Sequence, residues 1–154
     1  MAQFFTGLAG LSSDTELPVR VAAVCYRLSG SSVEFLLVNT SSGKWTFPKG
    51  RLNPGMSASD SASCEAWEEA GIECKIEKDL GNIEEKRTEA QIRKNPSAPR
   101  AAYRFYEVRV KEEKDSWPEK HKRDRMWMSY AKAKDLLRDR PELLEALERS
   151  SIKR

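Results

Sequence analysis

Histidine and cysteine are scarce in this chain: its 154 residues include one His and three Cys. Cys25, Cys64 and Cys74 cannot all pair with one another, and no two of them have the CxxC spacing that is typical of zinc and redox motifs. We therefore expect reduced thiols and a cytoplasmic location, rather than a secreted fold stabilised by disulfides.

Long apolar runs are missing as well. No uninterrupted apolar segment approaches the ~18–20 residues of a membrane helix, so we expect no membrane span. The first residues, MAQFFTGLAG, lack the basic region that precedes the apolar core of a secretory signal. We expect residues 1–17 to form a flexible arm and residues 18–154 to form one domain, because this length suits a single hydrophobic core.

Neither sign of charge dominates. The 27 Lys and Arg residues are nearly balanced by 24 Asp and Glu, which leaves a net charge of +3. The interleaved aromatic and basic pattern of an RNA-binding domain is absent, so we expect no nucleic-acid partner. Basic residues do cluster at Lys120–Arg125 and scatter between residues 87 and 104. Both groups could attract phosphates or form ordinary solvated surface. The sequence leaves the oligomeric state open.

Alternating patterns and turn residues predict interleaved strands and helices. Strands are predicted over residues 19–28, 33–39, 43–47, 101–110 and 126–129, with one or two more within 72–87. Helices are predicted over residues 57–70, 131–138 and 142–149, with a Pro- and Gly-punctuated loop at PKGRLNPG and a mobile loop over residues 88–99. This order indicates an α/β or α+β sandwich.

Three carboxylates stand close together on the first predicted helix. Glu65, Glu68 and Glu69 fall within an arc of about 100° on one helical face, whereas Ser59, Ser63, Ala66 and Ala70 lie opposite. No Lys or Arg one turn away within the helix relieves the repulsion between these carboxylates. Two interpretations stay open: an ordinary acidic surface, or a site for a hard cation such as Mg²⁺ or Mn²⁺.

The segment from Gly50 to Ile72 resembles the Nudix box, whose pattern is G-x5-E-x7-R-E-U-x-E-E-x-G-U with U an aliphatic residue. The positions kept in register are Gly50, Glu65, Glu68, Glu69, Gly71 and Ile72. The resemblance implies a Nudix-type α/β/α sandwich with a mixed sheet. It also implies a hydrolase that cleaves phosphoanhydride bonds in nucleoside-diphosphate-linked or polyphosphate compounds.

Two positions of the box depart from the pattern. The first Glu of the family is Met56 here, and the Arg of the family is Cys64. In the family these two residues are thought to form an ion pair that braces the loop against the helix. Loss of one partner of a buried pair costs about 3–5 kcal/mol, whereas replacement of both by apolar groups is often nearly neutral. We interpret Met56 and Cys64 as a compensated exchange.

The resemblance implies a role for each retained carboxylate. Glu65 and Glu69, with the backbone carbonyl of Gly50, would hold Mg²⁺ or Mn²⁺. Glu68 would be the base that deprotonates the attacking water, although family members differ in which Glu has this role.

The rest of the chain resembles the diphosphoinositol polyphosphate phosphohydrolase branch, through VRVAAVCY at Val19, FLLV at Phe35, Ser41-Ser42, and the tail from Trp117 to Trp127. The loop Pro48-Lys49-Gly50-Arg51 replaces the triple glycine of that branch and is more similar to Nudix enzymes that act on dinucleoside polyphosphates. The resemblance implies a small polyphosphate substrate. The predicted substrate-binding residues are Arg20, Ser41, Ser42, Lys49, Arg51, Arg104, Arg123 and Arg125.

A rival interpretation is a catalytically weak Nudix domain that binds nucleotides or a protein partner. The atypical Met56 and Cys64 favour it, and the retained carboxylates favour the enzyme.

Overall fold

The computed structural model describes residues 19–87, 89–97, 101–150 and 152. The strands are β1 (Val19–Ser29), β2 (Ser32–Asn39), β3 (Trp45–Thr46), β4 (Lys49–Arg51), β5 (Ile72–Glu84), β6 (Ala102–Glu113) and β7 (Arg125–Ser129). The helices are α1 (Ala58–Ala70), α2 (Glu89–Lys94), α3 (Tyr130–Leu136) and α4 (Pro141–Arg149). The predicted flexible arm, residues 1–17, lies outside the described residues. None of the described helices has both the length and the apolar character that a membrane crossing requires.

All seven strands join one mixed sheet with the order β3-β2-β1-β6-β5, in which β4 pairs with β1 and β7 pairs with β2. The central strand β1 is parallel to β6 and antiparallel to β2 and β4. One edge of β1 is divided: residues 25–29 pair with β2, and residues 20–22 pair with β4. This division places the short strand β4 beside the beginning of β1.

The two faces of β1 supply two hydrophobic cores, because successive side chains of a strand point to opposite faces. Val21, Ala23 and Cys25 pack on the α1 side. Ala22, Val24 and Tyr26 pack on the side of α3 and α4, with residues such as Phe105, Leu143 and Leu147. Helices therefore cover both faces of a mixed sheet, and the predicted α/β/α sandwich is confirmed.

Helix α1 begins and ends where its capping residues predict. The Ser57 hydroxyl accepts a hydrogen bond from the Asp60 backbone N–H at 3.1 Å. Gly71 ends the helix in the left-handed conformation, with φ of 67°, which glycine adopts without steric cost.

Two predictions of local structure need correction. The predicted loop at PKGR contains the strand β4, which exists only through its pairing with β1. Residues 89–94 of the predicted mobile loop form the helix α2, none of whose residues is buried. The one or two strands predicted within residues 72–87 are one long strand over residues 72–84, in agreement with the prediction, and its pairing with β6 is interrupted by bulges.

Candidate active site

The α1 helix packs on the sheet through a row of small residues. Ala62, Ala66 and Ala70 are fully buried in the core on that side. The adjacent row carries Glu65 and Glu69, which are also buried, with 9% and 6% of their surfaces exposed. The predicted sheet-facing residues Ser59 and Ser63 are only half-buried, so the packing face is rotated toward the carboxylates. Two of the three carboxylates are therefore covered by the fold rather than displayed to solvent.

Gly50 provides the space that the Glu65 carboxyl occupies. Gly50 pairs with Val21 of β1 and so faces α1. A methyl group on Gly50 would overlap the Glu65 carboxyl. The neighbouring Lys49 backbone N–H donates a hydrogen bond to Glu69 Oε1 at 3.3 Å. The predicted metal ligands Gly50, Glu65 and Glu69 therefore lie together.

Burial makes negative charge costly at this carboxyl pair. It raises the pKa of Glu69 to about 8, although Arg123 and the Lys49 N–H oppose the shift. Burial and the charge of Glu68 also raise the pKa of Glu65, while its hydrogen bond with Glu69 opposes them. The two side chains thus retain a proton between them at pH values well above those at which an exposed carboxyl group loses its proton. A divalent cation would take the place of that proton.

Arg123 and Glu119 close the site from the segment between β6 and β7. Arg123 Nε donates to Glu119 Oε1 at 2.8 Å, and its Nη1 donates to the Asn39 carbonyl at 3.0 Å. Its Nη2 lies 3.7 Å from Glu69 Oε2. The Glu119 backbone N–H donates to the Glu68 carbonyl at 3.0 Å. The predicted residue Arg123 is therefore beside the carboxylates.

Glu119 also belongs to the site, although it is not among the predicted metal-binding or substrate-binding residues. Its negative charge raises the pKa of both Glu65 and Glu69. The only local signal was its position four residues before Arg123, a spacing that suits an ion pair on one helical turn. The predicted base, Glu68, is half-buried, and its effect on the pKa of Glu65 shows that it lies near the same pair.

The donor set fits a hard divalent cation. Among residues 19–87, 89–97, 101–150 and 152, no three His, Cys, Asp or Glu side chains form a group that could hold a metal ion. What the fold assembles is two buried carboxyls beside the backbone of Gly50. An all-oxygen set of this kind suits Mg²⁺ or Mn²⁺, which usually keep several water ligands, and it does not suit zinc.

A second group of basic side chains occupies the opposite face of the sheet. Lys49 pairs with Ala22, which belongs to the core on the α4 side. Its Nζ lies 5.5 Å from the centre of the Tyr103 ring. Burial lowers the pKa of Lys49, and the positive charge of Arg140 adds to this effect. Arg140, a residue that the sequence did not assign, thus lies near Lys49.

Arg20 and Arg51 pair with each other across β1 and β4, on the same face as Lys49. Arg20 is also paired with Tyr103 of β6. Arg20 and Arg140 both oppose the burial that raises the pKa of Tyr103. Arg20, Lys49 and Arg140 therefore surround Tyr103, whereas Arg51 is exposed at the edge.

The other predicted substrate-binding residues lie elsewhere. Ser41 and Ser42 are exposed in the turn after β2. Arg104 forms an ion pair with Asp79. Arg125 Nη1 donates to the Ala70 carbonyl at 2.8 Å, at the end of α1. The structure therefore does not bring all of the predicted residues to the carboxyl pair: Arg104 lies beside Asp79, and Arg125 lies beside the end of α1.

A family model described as the NUDIX domain matches residues 17–149. The chain belongs to the NUDIX family. The predicted family is confirmed, whereas the branch within the NUDIX family is not decided by the match.

The chain is similar to NUDIX proteins of known name. It is 34% identical over 132 residues to Nudix hydrolase 18, mitochondrial, of Arabidopsis thaliana, a match that covers 77% of this chain and 68% of the relative. It spans 58% and 56% of the length of two further Arabidopsis relatives.

Its fold is similar to that of several solved structures. One is a binary complex of the C. elegans Ap4A hydrolase (TM-score 0.66, 20% identity, 86% of this chain and 94% of that chain). Another is the NUDIX domain of Shewanella oneidensis NrtR complexed with ADP ribose (TM-score 0.65, 15% identity, 87% and 88%). At these identities the likeness concerns the fold.

Proposed function

We propose that this NUDIX chain hydrolyses phosphoanhydride bonds in nucleoside-diphosphate-linked or polyphosphate compounds, with Mg²⁺ or Mn²⁺ as cofactor. The observation that carries the proposal is the buried carboxyl pair of Glu65 and Glu69 over Gly50. Two buried carboxyls that share a proton are an expensive arrangement, and cation binding gives a reason for it.

In this proposal Glu65, Glu69 and the Gly50 carbonyl hold the cation. When bound, the cation neutralises phosphate charge and acidifies a water molecule. Glu68 accepts the proton of the attacking water. Arg123, which contacts Glu69 and Glu119, binds a phosphate oxygen next to the reacting bond in this proposal.

The proposed substrate carries several phosphates, as in dinucleoside polyphosphates or diphosphoinositol polyphosphates. Lys49 supports this proposal because it contacts Glu69 through its backbone and reaches toward Tyr103 with its side chain. Positive charge therefore continues from the carboxyl pair to Arg20 and Arg140. The solved structure of similar fold from C. elegans is that of an Ap4A hydrolase, which is compatible with such a substrate.

The test is a phosphate-release screen with Mg²⁺ across diadenosine polyphosphates, ADP-ribose, nucleoside triphosphates and diphosphoinositol polyphosphates. Wild-type protein should hydrolyse at least one class, and Glu69→Gln should abolish the activity. Glu73→Gln is the matched control, since Glu73 follows the box directly but is exposed on β5, where it pairs with Lys114. Equal activity of Glu69→Gln and Glu73→Gln would refute the assignment of the site.

The rival function is a NUDIX domain that binds a nucleotide without efficient turnover. The observation that favours it is the pair Met56 and Cys64 in place of the ion pair of the family. Binding of ADP-ribose or a diadenosine polyphosphate by calorimetry, with no phosphate release in the screen, would select this function. The cytoplasmic location stays a prediction, and the Arabidopsis relatives are named as mitochondrial.

A further inference from the structure

A separate cavity lies next to the basic group, between the end of β5, helix α2 and the beginning of α4. Its volume is about 450 Å³, which falls within the range of small-molecule sites. The residues that line it are Glu85, Lys86, Arg87, Gln91, Lys94, Asn95, Asp139, Arg140 and Glu142. Arg140 belongs both to this lining and to the surroundings of Lys49, so the cavity adjoins the basic group around Tyr103.

Glu142 has a polar atom in this lining that the protein leaves unsatisfied. The residue is only 2% exposed. Glu142 Oε2 lies 3.5 Å from Arg140 Nε, but Oε1 is buried without a hydrogen-bond partner among the residues that the structure describes. Buried carboxylate oxygens almost always have a donor, and an orphaned one costs free energy. A ligand that brings a donor would satisfy it.

Arg87 supplies the complementary group. Its Nη1 donates to the Asn95 carbonyl at 3.4 Å, while its Nε is buried and, within the described part of the chain, has no acceptor. Two buried, unsatisfied polar atoms, the acceptor Glu142 Oε1 and the donor Arg87 Nε, therefore belong to residues of one cavity lining. A group with a donor and an acceptor on one edge would satisfy both atoms.

The charges of the lining argue against a phosphate as the occupant. The cavity is lined by four cations, Lys86, Arg87, Lys94 and Arg140, but also by three carboxylates, Glu85, Asp139 and Glu142. A phosphate here would meet carboxylates at short range, which is unfavourable for two anions. The phosphates of a substrate are better matched by Arg20, Lys49 and Arg123, and the cavity is better matched by an uncharged polar group.

We propose that this cavity binds the nucleobase of the substrate, with Glu142 Oε1 accepting a hydrogen bond from a base N–H and Arg87 Nε donating to a base nitrogen or carbonyl. A nucleobase presents donors and acceptors side by side on one edge and carries no charge. The proposal rests on the proposed function for the path of the phosphates. Within it, the cavity selects nucleotide substrates over inositol polyphosphates, which carry no base.

The test measures binding rather than turnover. AMP, GMP, CMP and UMP contain no phosphoanhydride bond, so the enzyme cannot consume them, and ribose 5-phosphate is the same ligand without a base. By calorimetry, at least one of the four nucleotides should bind wild-type protein about tenfold or more tightly than ribose 5-phosphate, as expected for a charge-assisted hydrogen bond.

Glu142→Gln should remove most of this preference and leave the affinity for ribose 5-phosphate within about twofold. Asp139→Asn is the matched control: it removes an exposed carboxylate from the same lining and should keep the preference. Arg87→Lys keeps the positive charge without Nε–H and should also weaken nucleotide binding, so the proposal remains testable if Glu142→Gln fails to fold.

Three results would overturn the inference: no nucleotide binds more tightly than ribose 5-phosphate, Glu142→Gln weakens all ligands equally, or Asp139→Asn has the same effect as Glu142→Gln. Failure of the proposed function is a different result. A protein that binds a nucleotide through Glu142 but releases no phosphate from any substrate would keep the cavity assignment and lose the hydrolase.

Discussion

Glu68 and Glu119 are two candidates for the general base. Both lie beside the buried pair, and they are linked through the hydrogen bond from the Glu119 N–H to the Glu68 carbonyl. We assign the base to Glu68 because Glu119 already accepts a hydrogen bond from Arg123, which holds it away from a water proton.

Glu68→Gln should therefore lower kcat by about 10²-fold or more, the usual contribution of a general base. Glu119→Gln should act chiefly on KM, by freeing Arg123. Steady-state kinetics of both variants, with circular dichroism to check the fold, makes the comparison. Near-normal kcat in Glu68→Gln together with a large loss in Glu119→Gln would move the base to Glu119.

Glu69 should make the stability of the metal-free protein depend on pH. Its pKa rises on folding from an ordinary value of 4.5 to about 8, chiefly through burial. A raised pKa in the folded state means that the bound proton stabilises the fold. This stabilisation is complete below pH 4.5 and is lost as the pH rises through about 8.

The melting temperature of the wild type, relative to Glu69→Gln, should fall over that range in EDTA. Mg²⁺ should raise the melting temperature of the wild type more above pH 8 than near pH 5, because only the ionised carboxylate binds a cation. A difference between the two proteins that does not change with pH would contradict the assignment.

At the scale of the elements, the structures that could be predicted were those whose signals are local. Helix α1 carries its own caps, Ser57 and Gly71, and its limits were predicted to within a residue. Helix α2 buries none of its residues, so its sequence lacks the hydrophobic periodicity that would predict a helix. Strand β4 is three residues long and depends on β1 for its hydrogen bonds, which no local pattern reveals.

Arg125 stabilises the end of helix α1 through three contacts. Its guanidinium donates to the Ala70 carbonyl at 2.8 Å, lies 3.2 Å from Glu113 Oε1 through Nε, and stacks 4.1 Å from the centre of the Trp117 ring. Trp117 in turn donates from Nε1 to the Glu69 carbonyl at 3.1 Å. Arg125 and Trp117 together fix the last turn of α1, which carries Glu68 and Glu69.

Arg125→Ala should therefore lower the free energy of unfolding by about 1.5–3 kcal/mol, the range for hydrogen bonds that involve a charged group. Urea denaturation measures it, and Arg138→Ala is the control because the Arg138 side chain is 73% exposed and pairs only at the surface with Asp135. If Arg125→Ala unfolds like Arg138→Ala but raises KM strongly, the original assignment of Arg125 to substrate binding would be restored.

Met56 and Cys64 line one surface cavity beside α1, which supports a relation between them. Met56 is 36% exposed, however, so a charge placed there or at the half-buried Cys64 would reach solvent. Cys64→Arg should consequently destabilise the fold by less than a buried charge would. Addition of Met56→Glu should recover about 0.2–1 kcal/mol, as for an exposed ion pair. Strict additivity in this double-mutant cycle would show that the two side chains do not interact.

At the scale of the whole molecule, the sequence places the carboxylates on one helix but does not show which arginines lie beside them. The box places Glu65, Glu68 and Glu69 on one helix, where spacing alone brings them together. Two of the predicted substrate-binding arginines, by contrast, have partners far away in sequence: Arg104 pairs with Asp79 of β5, and Arg125 contacts the end of α1. Those long-range contacts depend on how the strands and helices pack, which the local sequence does not show. They determine which basic side chains lie near the carboxyl pair.

The final prediction concerns the basic side chains that lie near the carboxyl pair. Arg123 touches the carboxyl pair, and Lys49 connects it to Arg20 and Arg140 on the other face of the sheet. Positive charge spread over this distance suits a substrate with several phosphates better than one with a single diphosphate. We expect kcat/KM to be higher for a dinucleoside polyphosphate than for ADP-ribose.

That preference should shrink at high salt, because exposed charges are screened beyond about 8–10 Å at physiological ionic strength. Arg123→Ala should raise KM for the polyphosphate more than KM for ADP-ribose, since the longer chain of phosphates depends on more cations. Arg138→Ala removes an exposed arginine whose ion pair is with Asp135, and it should change neither value. A higher kcat/KM for ADP-ribose, or an equal effect of Arg123→Ala on both substrates, would reject the polyphosphate preference while the hydrolysis of phosphoanhydrides at the carboxyl pair still stood.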